Sequence, residues 1–263
     1  MVHYLIEFRF QGRAKSEIKK LILEVDKRCR IGNARRKRPV PHITLVAPFQ
    51  TRNERKLIKD FYDVCSKSPL MKFRIRGFNT FENNRVVYLD INPSENLDRF
   101  RLNLSKKLQP YCKLQPTDYE RKYYFHSTVA MKLTPQKFSR VKSYIRRKEK
   151  PNFNHVVVRA TLLKGGKILR EYDFLLRRPL VRRLAKDRGV YTKTLDLLKA
   201  YFEGKYNPNE FIGEPIKMKK KKFFEKLKDI FRKPKTFITS DLHLDHTNLL
   251  SNTAKDHFLT QKI

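Results

Sequence analysis

The stretch "PHITLVAPF", Pro41 to Phe49, sets an imidazole and a hydroxyl two residues apart in a run that otherwise reads as a buried strand. Side chains two apart on a strand share a face, so His42 and Thr44 are presented together while Ile43 and Leu45 point into the opposite layer. A second run of the same form, "YYFHSTVAMKL" at 123–133, places His126 with Thr128 against Ser127 and Val129. A single strand histidine is most often a hydrogen-bonded core or rim residue. Two such pairs, each followed by an apolar residue and set in a strand-like run, argue against chance and for two halves of one site.

Working outward, residues 2–10 alternate, with Tyr4, Ile6, Phe8 and Phe10 opposite Leu5, Glu7 and Arg9, a strand pattern. Ile18, Leu21, Ile22 and Val25 follow at helical spacing, and Leu57, Ile58, Phe61 and Cys65 repeat that spacing after the first motif. "MKFRIRG" and "RVVYLDI" pair as strands, and Leu97, Phe100, Leu104 and Leu108 form a helical stripe that Pro110 stops. Thr134 before Pro135 is an N-cap and first-turn pair for a helix carrying Phe138, Val141 and Ile145. "HVVVRATLLK" and "KILREYDFLL" flank Gly165-Gly166, which suits a hairpin turn. Mixed hairpins and βα units predict an α+β domain with antiparallel pairing over residues 1–177. Residues 178–235 turn polar and basic, with short stripes such as Leu195, Leu198 and Phe202, and read as a basic helical linker.

The 263 residues carry 61 Lys and Arg against 26 Asp and Glu, a net charge of +35. Such an excess, spread along the whole chain, points to a polyanionic partner and favours nucleic acid over a membrane surface. Cys29, Cys65 and Cys112 are widely separated, without metal-ligand spacing, and predict neither a disulfide framework nor a zinc knuckle. No apolar run approaches the roughly 18 residues of a membrane span, and the expected location is cytoplasmic.

Two strands that each carry an imidazole and a hydroxyl suit phosphodiester chemistry without a metal. A histidine is an acid or a base near neutral pH, so one ring takes a proton from the attacking water and the other gives one to the departing ribose oxygen. The threonine hydroxyls donate to the non-bridging oxygens. With His42-Ile43-Thr44-Leu45 and His126-Ser127-Thr128-Val129 the sequence resembles the 2H phosphoesterase superfamily, and within it the RNA 2',3'-cyclic phosphodiesterases, also described as 2'-5' RNA ligases. Phe125 stands where the commoner bacterial pattern often has Pro. The resemblance implies a bilobal fold with antiparallel sheets around a central cleft. It also implies hydrolysis of RNA 2',3'-cyclic ends, tRNA among the candidates, to 2'-phosphates, with reverse 2'-5' ligation. Carried over, His42 is the proton donor and His126 the acceptor, with Thr44 and Thr128 on the substrate, and neither cofactor nor metal is expected.

Arg35, Arg36, Lys37 and Arg38 precede the first motif, where a basic loop at the cleft mouth can hold an RNA backbone. Phe49, Tyr123 and Tyr124 are candidates to stack on a base, with core packing as the competing fate. The alternative reading is a non-catalytic basic RNA-binding module. Separately, "TFITSDLHLDHTNLL", opening a segment at 236–263, resembles the start of a calcineurin-like metallophosphoesterase, which implies Asp241 and His243 as ligands of a two-metal centre. The later ligand motifs of that family do not follow, so a truncated metallophosphoesterase fusion is the expectation there.

Overall fold

The computed structural model describes residues 2–32, 39–120 and 123–212. Every strand pairing among them is antiparallel, and the strands form two sheets. The first contains β1 (Tyr4–Arg9), β2 (His42–Thr51), β5 (Cys112–Lys113), β8 (Arg159–Lys164), β9 (Lys167–Asp173) and β10 (Arg178–Val181) in the order β10-β9-β8-β1-β2-β5. The second contains β3 (Lys72–Phe81), β4 (Val86–Pro93), β6 (His126–Ala130) and β7 (Asn152–Val156) in the order β6-β4-β3-β7. The fold class is α+β.

The helices are those the periodicities predict: α1 (Gly12–Arg28), α2 (Glu54–Lys67), α3 (Glu95–Leu108) and α4 (Pro135–Arg146). Each of the last three starts on a side chain that accepts from the first turn: Asn53 from Lys56 N, Ser94 from Leu97 N and Thr134 from Lys137 N. The β8–β9 hairpin turns on Gly165 and Gly166, whose φ of 54° and 74° only glycine adopts without strain.

The sheets meet through rings. Phe8 of β1 and Phe10 just beyond it pack edge-on against Phe73 of β3, and His155 of β7 stacks on Phe73 at 5.5 Å with an 11° interplanar angle. Burial among these rings pulls the His155 pKa down to about 4, against a hydrogen bond to the Val156 carbonyl that favours the charged form. The native state therefore binds fewer protons than the unfolded chain between about pH 6.5 and 4. Stability is lost as pH falls through that window, by about 1.4 kcal/mol per unit. His155→Phe is expected to flatten this loss in urea melts at pH 4.5–7, and an unchanged slope would show the acid sensitivity to lie elsewhere.

Two expectations need correcting. "HVVVRATLLK" is not one strand: His155 and Val156 end β7 in one sheet, and the chain crosses at Val157 and Val158 to begin β8 in the other. Both crossing valines are fully buried, so apolarity alone does not mark the change of sheet. The boundary expected at 177 falls between β9 and β10, which pair from Arg170 to Asp173. Residues 178–212 are no linker. They add β10, a short turn of helix α5 (Arg182–Ala185) and α6 (Arg188–Phe202), which Asp187 caps by accepting from Val190 N. Arg159 ties α6 down from within, since its guanidinium bonds Asp173 Oδ2 at 2.7 Å, Thr194 Oγ1 at 2.7 Å and Glu171 Oε2 at 3.3 Å.

Candidate active site

His42 is the first residue of β2 and His126 the first of β6, so both imidazoles stand where a strand enters its sheet. Each is anchored identically. His42 Nδ1 lies 2.9 Å from the Val40 carbonyl and His126 Nδ1 2.8 Å from the Tyr124 carbonyl, two residues upstream in both cases. A carbonyl only accepts, so Nδ1 carries the hydrogen and Nε2 is left as the reacting nitrogen of the neutral ring.

Thr44 and Thr128 follow on the same faces and are half-buried, while Ile43, Leu45, Ser127 and Val129 are buried behind them. The two motifs converge. His42 and Thr128 line one cavity of about 280 Å³ with Ile22 and Asp26 of α1, Val40 and Met131. His42 is also near enough to His126 that a proton on one opposes a proton on the other.

The surroundings of the two rings differ. His126 sits edge-on to Phe81 at 5.1 Å and beside Tyr88 at 5.3 Å. Burial there lowers its pKa, with the charge of His42 adding to the shift and the bond to the Tyr124 carbonyl opposing it. His126 is therefore neutral at pH 7, the form a base needs. His42 is more open, its side chain 39% exposed.

The lead-in to the second motif is braced against the first. Tyr123 donates its hydroxyl to the Thr44 carbonyl at 3.3 Å, and the buried Arg101 guanidinium lies 4.4 Å over the Tyr123 ring. Asp118 accepts from Ala47 N of β2 at 2.9 Å and from Gln115 N at 3.0 Å. Burial raises the Asp118 carboxyl pKa, against those two bonds and the Arg101 charge.

Of the three proposed stacking rings, only Tyr124 is open, 58% exposed and edge-on to Phe81. Phe49 is core, stacked on Tyr4, and Tyr123 is held between Arg101 and Phe125. The basic loop Arg35, Arg36, Lys37 and Arg38, and the Asp241 and His243 pair, lie outside the described residues. Among the described residues no three His, Cys, Asp or Glu side chains gather as a metal site, and no helix is long and apolar enough to cross a membrane. All three cysteines are free and buried.

Sequence reading passed over Glu7 and Arg9 on β1 and Asp90 on β4. The registers set Glu7 opposite Thr44, Arg9 opposite His42 and Asp90 opposite His126. Only the strand order brings them to the site, and nothing local in the sequence announces it.

A family model described as the 2'-5' RNA ligase superfamily matches residues 14–167, more than half of the chain. The chain belongs to the 2'-5' RNA ligase superfamily. Both H-x-T motifs fall inside the matched region. Membership in this superfamily of RNA phosphoesterases and ligases supports an enzyme acting on RNA phosphodiesters. No curated protein matches. Among solved structures, Usb1 of Kluyveromyces marxianus aligns with 12% identity and a TM-score of 0.39, covering 64% of this chain and 95% of that one. The structure of the same protein with uridine monophosphate aligns with 11% identity and a TM-score of 0.37 over the same shares.

Proposed function

We propose that this member of the 2'-5' RNA ligase superfamily opens 2',3'-cyclic phosphate ends of RNA to 2'-phosphates without a metal ion. The observation that carries the reading is the pair of alike-anchored imidazoles on converging strands, one of them kept neutral by burial. Neutral His126 takes a proton from water at Nε2 as the water oxygen bonds phosphorus. The bond from phosphorus to O3' breaks, and O3' takes the proton that His42 carries on Nε2. The Thr44 and Thr128 hydroxyls donate to the non-bridging oxygens, where charge must be held as the reaction proceeds. A terminal 5'-hydroxyl replacing water on the same track yields a 2'-5' linkage. The cavity between α1 and β6 receives the nucleoside beside the phosphate, and the net charge of +35 favours a polynucleotide over a free nucleotide.

The test is an RNA oligonucleotide ending in a 2',3'-cyclic phosphate, incubated with the purified protein in EDTA. Conversion to a 2'-phosphate at an undiminished rate is expected. Loss of turnover in EDTA would assign the chemistry to a metal. The +35 charge also suits a second reading, a module that binds RNA ends without turning them over. Salt-sensitive binding with no product at any pH would favour it over the enzyme.

A further inference from the structure

The two motifs match in sequence and in their Nδ1 anchors, yet the strand beside each carries different charge. On β4, Asp90 stands opposite His126 and turns its carboxylate to Arg76 Nη2 at 3.4 Å. On β1 the arrangement is closer. Glu7, opposite Thr44, has a side chain only 3% exposed, with one oxygen bonded to Arg9 Nε and the other, Oε2, 3.8 Å from His42 Nε2. A carboxylate this buried must be compensated by positive charge. Arg9 supplies one partner. The free oxygen faces the reacting nitrogen of His42 and not its anchored one.

We infer that Glu7 is a positioning residue that holds the proton on His42, and so decides which of two look-alike imidazoles is the acid. This rests on the acid and base directions proposed above. With its proton, His42 forms an ion pair with Glu7, and after O3' takes that proton the carboxylate favours its return from solvent. Arg9 fixes the carboxylate from its far side, and its charge also acts through space on Glu171 of β9. Among the described residues, the other charged groups around His42 are His126 on β6 and, across the cavity, Asp26 of α1 and Lys132 just beyond β6. At 3.8 Å from Nε2, Glu7 is the carboxylate placed to form an ion pair with that nitrogen.

An opposite charge at this range favours the charged form of a titrating group by about 1–3 pH units. In Glu7→Gln, followed by NMR with labelled histidine, the titration midpoint of the His42 ring is expected to fall below that of the wild type. The alkaline limb of the kcat/KM profile should move with it, costing about tenfold above the limb and little below it. Glu7→Asp, which keeps the charge on a shorter arm, should recover most of the displacement. A purely structural Glu7 predicts a loss uniform in pH with His42 titrating as before, and that result overturns the inference. Should Glu7→Gln not fold, the wild-type protein decides: the Glu7 carboxyl carbon resonance must step at the His42 midpoint, and its failure to do so is equally fatal. The ring titration needs no substrate. Absence of turnover in the wild type therefore counts against the proposed reaction alone, and an unmoved His42 midpoint counts against Glu7 alone.

Discussion

Replacing His126 with alanine is expected to lower kcat/KM on a 2',3'-cyclic RNA end by about 10²–10⁴-fold, the usual worth of a general base. His42→Ala should cost a similar factor through the leaving oxygen. The ring of His126 lies against Phe81 and Tyr88 and that of His42 is partly open, so neither removal empties the core. Lost activity with unchanged thermal melting is the expected pairing. Because both groups act in one transition state, the double variant should be little worse than either single one. Measuring all three at several pH values checks the roles: the acidic limb, which reports deprotonation of the base, should vanish only with His126. Retention of most of the rate by either single variant would sink the two-histidine mechanism.

The second large effect concerns stability. Arg159 and Asp173 stand opposite each other on β8 and β9, with side chains 2% and 0% exposed. Thr194 of α6 joins both, the Ala185 carbonyl accepts from Arg159 Nη1, and Asp173 Oδ1 accepts from Leu175 N and Leu176 N. Breaking such a pair on one side strands a buried charge. Arg159→Ala is therefore expected to destabilise the domain by about 3–5 kcal/mol, seen as a lower urea midpoint at unchanged slope. Thr194→Val removes only hydroxyl bonds and should cost about 1–3 kcal/mol. If Arg159→Ala unfolds within 1 kcal/mol of wild type, the network does not hold α6 to the sheet.

Much of this was legible before any coordinates. The period-two runs and the capped helices read correctly because each satisfies a local rule, and the common face of His42 with Thr44 and of His126 with Thr128 follows from strand alternation alone. The extension beyond 177 was not legible, for a physical reason. The sheet face beneath α6 is itself polar, bearing Arg159, Thr161, Glu171 and Asp173, so the helix buries Thr194, Leu197 and Ala200 and not a continuous apolar stripe. Leu195 and Leu198, which attract attention in the sequence, are only half-buried. Glu7 was hidden in the same way. A charge on a strand reads as facing solvent until the neighbouring strands are known to cover it.

The place of β1 has a consequence for the order in which the chain can fold. It lies between β2 and β8, pairing Tyr4 with both Phe49 and Lys164. During synthesis its first edge finds a partner as soon as residue 51 has emerged, while its second edge stays open until residue 164 follows. The sheet bearing His126 needs nothing beyond residue 156. The nascent chain thus carries an inner strand with one edge open while residues 52–164 are made, and the half-site of His42 is the last to gain a finished sheet behind it.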